Sequence, residues 1–87
     1  MKKNSVYITS ALRTAVGSIG KTLKNVPAYE LGAYVIENVL TSSQLKKNQV
    51  DEIILGQVLT GGAGQNPARQ AAIKSGIPKE IPAYVVN

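Results

Sequence analysis

The stretch Asp51-Glu52-Ile53-Ile54-Leu55-Gly56-Gln57-Val58-Leu59-Thr60-Gly61-Gly62-Ala63-Gly64-Gln65-Asn66-Pro67-Ala68-Arg69-Gln70-Ala71-Ala72-Ile73-Lys74-Ser75-Gly76 decides the fold. Ile53 to Leu59 is a near-continuous apolar run, the pattern of a strand covered on both faces in a parallel sheet. Glycines at 61, 62 and 64 permit a tight turn after it. Asn66 then offers an N-cap oxygen, Pro67 suits the first helical position, and Gly76 with Pro78 behind it stops the helix. Ala68, Ala71, Ala72 and Ser75 fall on one side of that helix, where their small size lets a neighbouring backbone approach closely.

Outward from this strand-turn-helix unit the same reading continues. Ile81-Pro82-Ala83-Tyr84-Val85-Val86 has the composition of another strand. Upstream, Pro27 opens an amphipathic helix. Ala28, Leu31, Val35 and Val39 recur at three- and four-residue spacing along it, widened by Gly32, Ile36 and Leu40, to about Thr41. The polar residues 41–44 and 46–49 end it. At the start, Val6-Tyr7-Ile8-Thr9-Ser10-Ala11-Leu12 reads as a strand, followed by a loop from Arg13 to about Val26. The order β-α-β-α-β with short connections predicts an α/β fold with a parallel sheet and right-handed crossovers.

Composition narrows the chemistry. The 87 residues contain no Cys, His, Trp or Phe, and 44% are hydrophobic against 17% charged, a core-forming balance. Without Cys or His, this chain alone holds no disulfide, thiolate nucleophile, usual zinc ligand, catalytic triad or histidine base. No catalytic, cofactor-binding or metal-binding residue is expected in it. The net charge of +5 suggests an anionic partner, but the ten basic residues are dispersed with no run longer than two. The only aromatics are four Tyr, thin for base stacking, so no nucleic-acid partner is expected. No apolar stretch approaches the ~18–20 residues of a membrane span, and the basic start lacks a sustained apolar region. The expectation is a soluble, cytoplasmic protein with no membrane partner.

Three motifs invite sharper readings. Ala15-Val16-Gly17-Ser18-Ile19-Gly20-Lys21-Thr22 fits a loose phosphate loop, whose amides would cradle phosphates with Lys21 and Thr22 on the outer phosphates and magnesium. Such a loop must open straight into a helix, and Asn25 and Pro27 follow too soon. Gly61-Gly62-Ala63-Gly64 resembles part of a dinucleotide fingerprint, yet Pro67 takes the third glycine position and no acid follows ~20 residues on. Asp51-Glu52 is a carboxylate pair whose members, adjacent on a strand, point to opposite faces, which disfavours paired acid-base work. Arg69 could meet an acid, a partner chain or nothing.

Taken together, the residues resemble the N-terminus of the thiolase family, of the acetyl-CoA acetyltransferase kind. The matching stretches are Ala11-Leu12-Arg13-Thr14-Ala15-Val16-Gly17, Val26-Pro27-Ala28 with Glu30-Leu31-Gly32, Val50 through Leu59, Gly64-Gln65-Asn66-Pro67-Ala68-Arg69-Gln70-Ala71 and Ile81-Pro82-Ala83. The Gly-Gln-Asn-x-Ala-Arg-Gln block is the most specific, and Ala15 stands where many members carry Pro. The resemblance implies layered α/β/α architecture in two similar halves, a homo-dimer or homo-tetramer, and acyl-CoA substrates rather than a cofactor. It implies acyl transfer through an acyl-cysteine, with a histidine and a second cysteine handling protons. It places the nucleophilic cysteine a few residues after the third predicted strand, at the start of the next helix. Residues 1–87 are therefore expected to be the N-terminal part of the first half-domain, inactive alone, with the remainder of the thiolase chain as partner. The resemblance also sets Gln65, Asn66 and Arg69 toward a subunit interface, as contacts and not catalysts.

Two readings from other classes stand beside it: a stand-alone basic βαβαβ module that binds an anionic partner or scaffolds an assembly, and a condensing enzyme of fatty-acid type. The Gln-Asn-x-Ala-Arg block argues against the second. A half-built sheet would leave an apolar edge and bare faces, so the isolated chain is expected to oligomerise, aggregate or fold only in part.

Overall fold

The computed structural model describes residues 4–87. Helix α1 covers Ala28–Ser43, a 3-10 turn covers Lys47–Gln49, strand β1 covers Ile53–Gly56, helix α2 covers Pro67–Lys74 and strand β2 covers Ala83–Val86. The strands pair in parallel, Ile53 opposite Ala83 through Gly56 opposite Val86. With α2 as the connection they form a β-α-β unit, as the predicted α/β class requires.

Local chemistry accounts for the boundaries. Pro27 precedes α1 in an extended conformation, and Glu30 places its negative charge in the first turn, where the helix dipole favours it. The helix runs two residues beyond the predicted Thr41 and closes at Gln44, which is left-handed at φ 58 and whose N–H bonds the Leu40 and Thr41 carbonyls. The Gln49 side chain then accepts the Lys46 N–H at 2.8 Å, which tightens the turn that leads to β1. Helix α2 begins and ends where Asn66-Pro67 and Gly76 predict.

The core is made of small parts. Leu40, Ile53, Ala72 and Ile77 are buried together, and Ile36, Val50, Leu55, Ile81 and Ala83 pack against them. Ala68, Ala71 and Ala72 have no exposed surface, so the small-residue side of α2 faces inward as read from the sequence. A Cβ on Gly32 would sit 3.4 Å from the Ala71 Cβ and 3.5 Å from Leu55 Cδ1, so α1 meets α2 at backbone range. Two ion pairs brace this arrangement, Lys74 with Glu30 at 3.2 Å and Lys47 with Glu37 at 3.6 Å. The Lys74 ammonium also lies 5.9 Å from the centre of the Tyr29 ring.

Three sequence expectations change. Residues 4–18 form neither helix nor strand, so the strand expected at Val6–Leu12 is not among the described elements. A strand needs a neighbouring edge to take its N–H and C=O groups, and composition alone cannot supply one. Instead Val6, Tyr7 and Ile8 are exposed, and the segment is tied to the end of α1 by hydroxyls. Thr9 Oγ1 shares a hydrogen bond with Ser43 Oγ at 3.0 Å, and Ser10 Oγ donates to Ser42 Oγ at 3.1 Å. Strand β1 stops at Gly56, three residues before the apolar run ends. The Gln57 N–H still reaches Val86 O at 2.8 Å, but Val58 and Leu59 lie exposed beyond the ladder. Finally, only one sheet face is covered: Ile53 and Leu55 turn toward the core, while Ile54, Tyr84 and Val86 remain exposed.

Candidate functional site

The densest polar geometry surrounds the first turn of α2. Asn66 is left-handed at φ 41, a conformation that asparagine tolerates better than most residues. Its Oδ1 accepts the Arg69 N–H at 3.2 Å and so caps the helix, while its Nδ2 donates to Ala83 O at 3.1 Å. From one helical turn further on, the Arg69 guanidinium donates through Nη1 to Ile81 O at 3.3 Å and through Nη2 to Lys79 O at 2.8 Å. Two side chains thus hold three alternate carbonyls, those of residues 79, 81 and 83, along the backbone that runs into β2. Hydrogen bonds from a charged donor are worth about 1.5–3 kcal/mol each, so the half-buried guanidinium is a principal fastening of this segment.

The sequence left the partner of Arg69 open; in the structure its donors go to backbone carbonyls. Of the three expected contact residues, Asn66 and Arg69 are brought together in this clamp. Gln65 lies beside it, exposed, contributing its backbone carbonyl. Gln70 was missed. Its Nε2 donates to Ala63 O at 2.7 Å and Gln65 O at 2.9 Å, which pins the glycine turn against the helix. The available signal was its position just after Arg69 in the most specific block, but a glutamine on a short helix reads as solvated surface. Gly64, at φ +77, lets the turn bend, and a Cβ there would press to 3.1 Å from that same Gln70 nitrogen.

The other motifs stay apart from the clamp. Lys21 and Thr22 sit in exposed turns, Lys21 donating its N–H to Ser18 O at 3.1 Å, and the next helix begins only at Ala28, so that loop does not open straight into a helix. Asp51 and Glu52 are exposed ahead of β1. The neighbouring Glu52 carboxylate, as acceptor and as a negative charge, favours the protonated Tyr84 hydroxyl and pushes the phenol pKa above its ordinary 10.0. Among the described residues there is no enclosed pocket, and no group of three or more acidic residues is placed to hold a metal. No helix among them is long and apolar enough to cross a membrane.

A parallel β-α-β unit whose crossover helix is fastened to the following strand and packed against a second helix defines part of a layered α/β protein. Residues 6–87 match the family model described as thiolase, N-terminal domain, and the chain belongs to the thiolase family. It is 57% identical over 82 residues to an acetyl-CoA acetyltransferase of Cupriavidus necator and 58% identical over 82 residues to one of Pseudomonas aeruginosa. Each match covers 94% of this chain and 21% of the relative. It is 49% identical over 82 residues to a probable acetyl-CoA acyltransferase of Staphylococcus epidermidis, with the same coverage. Among solved structures it resembles the Acat5 thiolase from Ascaris suum in complex with coenzyme A. The TM-score is 0.78 and the identity 38%, over 80% of this chain and 18% of that one. The chain thus spans about a fifth of the length of the curated relatives it matches.

Proposed function

We propose that this chain is the N-terminal segment of an acetyl-CoA C-acetyltransferase that condenses two acetyl-CoA or cleaves acetoacetyl-CoA with coenzyme A. The observation that carries the reading is 57–58% identity to acetyl-CoA acetyltransferases over 94% of the chain, spanning the Gly64–Ala71 block. In the reaction the resemblance implies, an acyl group rests on a cysteine between two coenzyme A thioesters. Neither Cys nor His occurs in these 87 residues, so their role is architectural: they carry the β-α-β unit whose second strand leads toward the nucleophile. Coenzyme A thioesters are substrates, and no further cofactor is proposed. The remaining proposals are a cytoplasmic homo-dimer or homo-tetramer with the exposed Gln65 turn, beside Asn66 and Arg69, toward the subunit interface. The stand-alone basic module has less support, since the charge is scattered and the polar geometry is spent inside the fold.

The test is thiolytic cleavage of acetoacetyl-CoA by the purified intact enzyme that contains these residues, with the 87-residue chain run beside it. Coenzyme A-dependent loss of substrate is expected from the first and none from the second. Absence of turnover in the intact enzyme overturns the assignment. Turnover by the 87-residue chain, free of host enzyme, overturns the architectural role.

A further inference from the structure

We infer that Asn66 and Arg69 are positioning residues: by gripping the carbonyls of Lys79, Ile81 and Ala83 they set where β2 lies along its own axis, and thereby where the chain beyond it is delivered. The inference rests on the acyltransferase reading, in which the nucleophile lies beyond β2.

The geometry favours this role over simple bracing. The three carbonyls run from the turn that the Ile81 N–H closes on Pro78 O to the first residue of β2, and all three accept from the start of α2. Lengthwise sliding of β2 would pull Ala83 O off Asn66 and drag the turn behind it off the Arg69 guanidinium. The ladder to β1 resists sliding too, but β2 has only four residues in it, Ala83–Val86. The clamp grips upstream of and at the first of them, while the Gln57 N–H holds Val86 O at the far end. The donors are themselves fixed: Asn66 is locked by its capping bond to the Arg69 N–H, and Arg69 stands one turn into a helix whose inner side, Ala68, Ala71 and Ala72, is fully buried. A short strand held at both ends transmits its position to the residues beyond it, and a misplacement of about 1 Å at a reacting atom can cost ~100-fold in rate.

The test uses Asn66→Asp and Arg69→Lys in the intact enzyme. Asn66→Asp keeps a capping oxygen and tolerates the left-handed backbone, but loses the donor to Ala83 O. Arg69→Lys keeps the charge and loses the fork that spans two carbonyls. The expected result is kcat reduced about tenfold or more by each, with KM for acetoacetyl-CoA within about twofold, and slower alkylation of the nucleophilic cysteine by iodoacetamide. If either variant fails to fold, the other decides. A kcat within about twofold of wild type in a folded variant overturns the positioning role, even where its melting temperature falls. A wild-type enzyme that does not cleave acetoacetyl-CoA overturns instead the acyltransferase reading on which the inference rests.

Discussion

Replacing Gly76 with alanine tests how α2 hands the chain back to the core. Gly76 sits just past the end of α2 at φ +85 and donates its N–H to Ile73 O at 3.0 Å. The next N–H, of Ile77, reaches Ala72 O at 3.0 Å and carries Ile77 into the core cluster. An L-residue in this left-handed region costs roughly 1–2 kcal/mol. The added Cβ would also lie 2.7 Å from Lys47 Nζ and 3.3 Å from Lys47 Cδ, so that side chain must swing away and abandon Glu37. Both partners of that pair are about half exposed, and such a pair is worth only about 0–1 kcal/mol. Together the effects predict a loss of about 1–3 kcal/mol, measured by urea denaturation followed by far-UV circular dichroism. Lys47→Ala alone should cost under about 1 kcal/mol, and Gly76→Ala in that background should cost only the backbone part, ~1–2 kcal/mol. Gly76→Asn should be milder than Gly76→Ala, because asparagine tolerates the left-handed region. The reasoning is refuted if alanine is neutral, or if asparagine costs as much as alanine.

Further expectations concern the core and the surface. Leu40→Ala should destabilise by about 2–5 kcal/mol, because the cavity opens among Ile53, Ala72 and Ile77, whereas Ile54→Ala on the exposed sheet face should cost under about 1 kcal/mol; urea midpoints compare them. Ala71→Leu should cost about 1–3 kcal/mol or more by forcing α1 and α2 apart at Gly32, read in the same way. Tyr84 is raised above 10.0 in the folded state, so its contribution is fully present below pH 10 and is lost as pH climbs through the folded value. Tyr84→Phe should therefore flatten the alkaline limb of stability against pH and leave the neutral region nearly level. Glu30→Gln should lower stability by no more than about 1 kcal/mol, and the difference from wild type should shrink as salt is added.

What the sequence could disclose depended on the range of the forces involved. Both helices were legible because their signals are local: Asn66 caps with its own side chain, Pro67 and Gly76 act through their own backbone angles, and the apolar spacing from Ala28 to Leu40 lies within one helix. The parallel pairing of residues 53–56 with 83–86 was legible because a helix between two apolar runs leaves few other topologies. Strand status for Val6–Leu12 was not, since it depends on an edge many residues away that the run itself does not encode. The same limit applied at the clamp. Asn66 could be read as a cap, but its second bond, to a carbonyl seventeen residues on, has no trace in its neighbours, and neither do the two acceptors of Arg69.

The smallness of the buried side chains has a calorimetric consequence. Among the described residues Ser75 is the bulkiest side chain hidden from water, while Val6, Ile8, Val16, Ile19 and Leu59 are almost fully wet. Heat capacity rises on unfolding in proportion to newly wetted apolar area, at about 12–15 cal/mol/K per residue in ordinary domains, or ~1.0–1.3 kcal/mol/K for a chain of this length. Here much of that area is wet before unfolding begins. The increment for these residues should fall below the ordinary value, and their contribution to stability should vary only weakly with temperature.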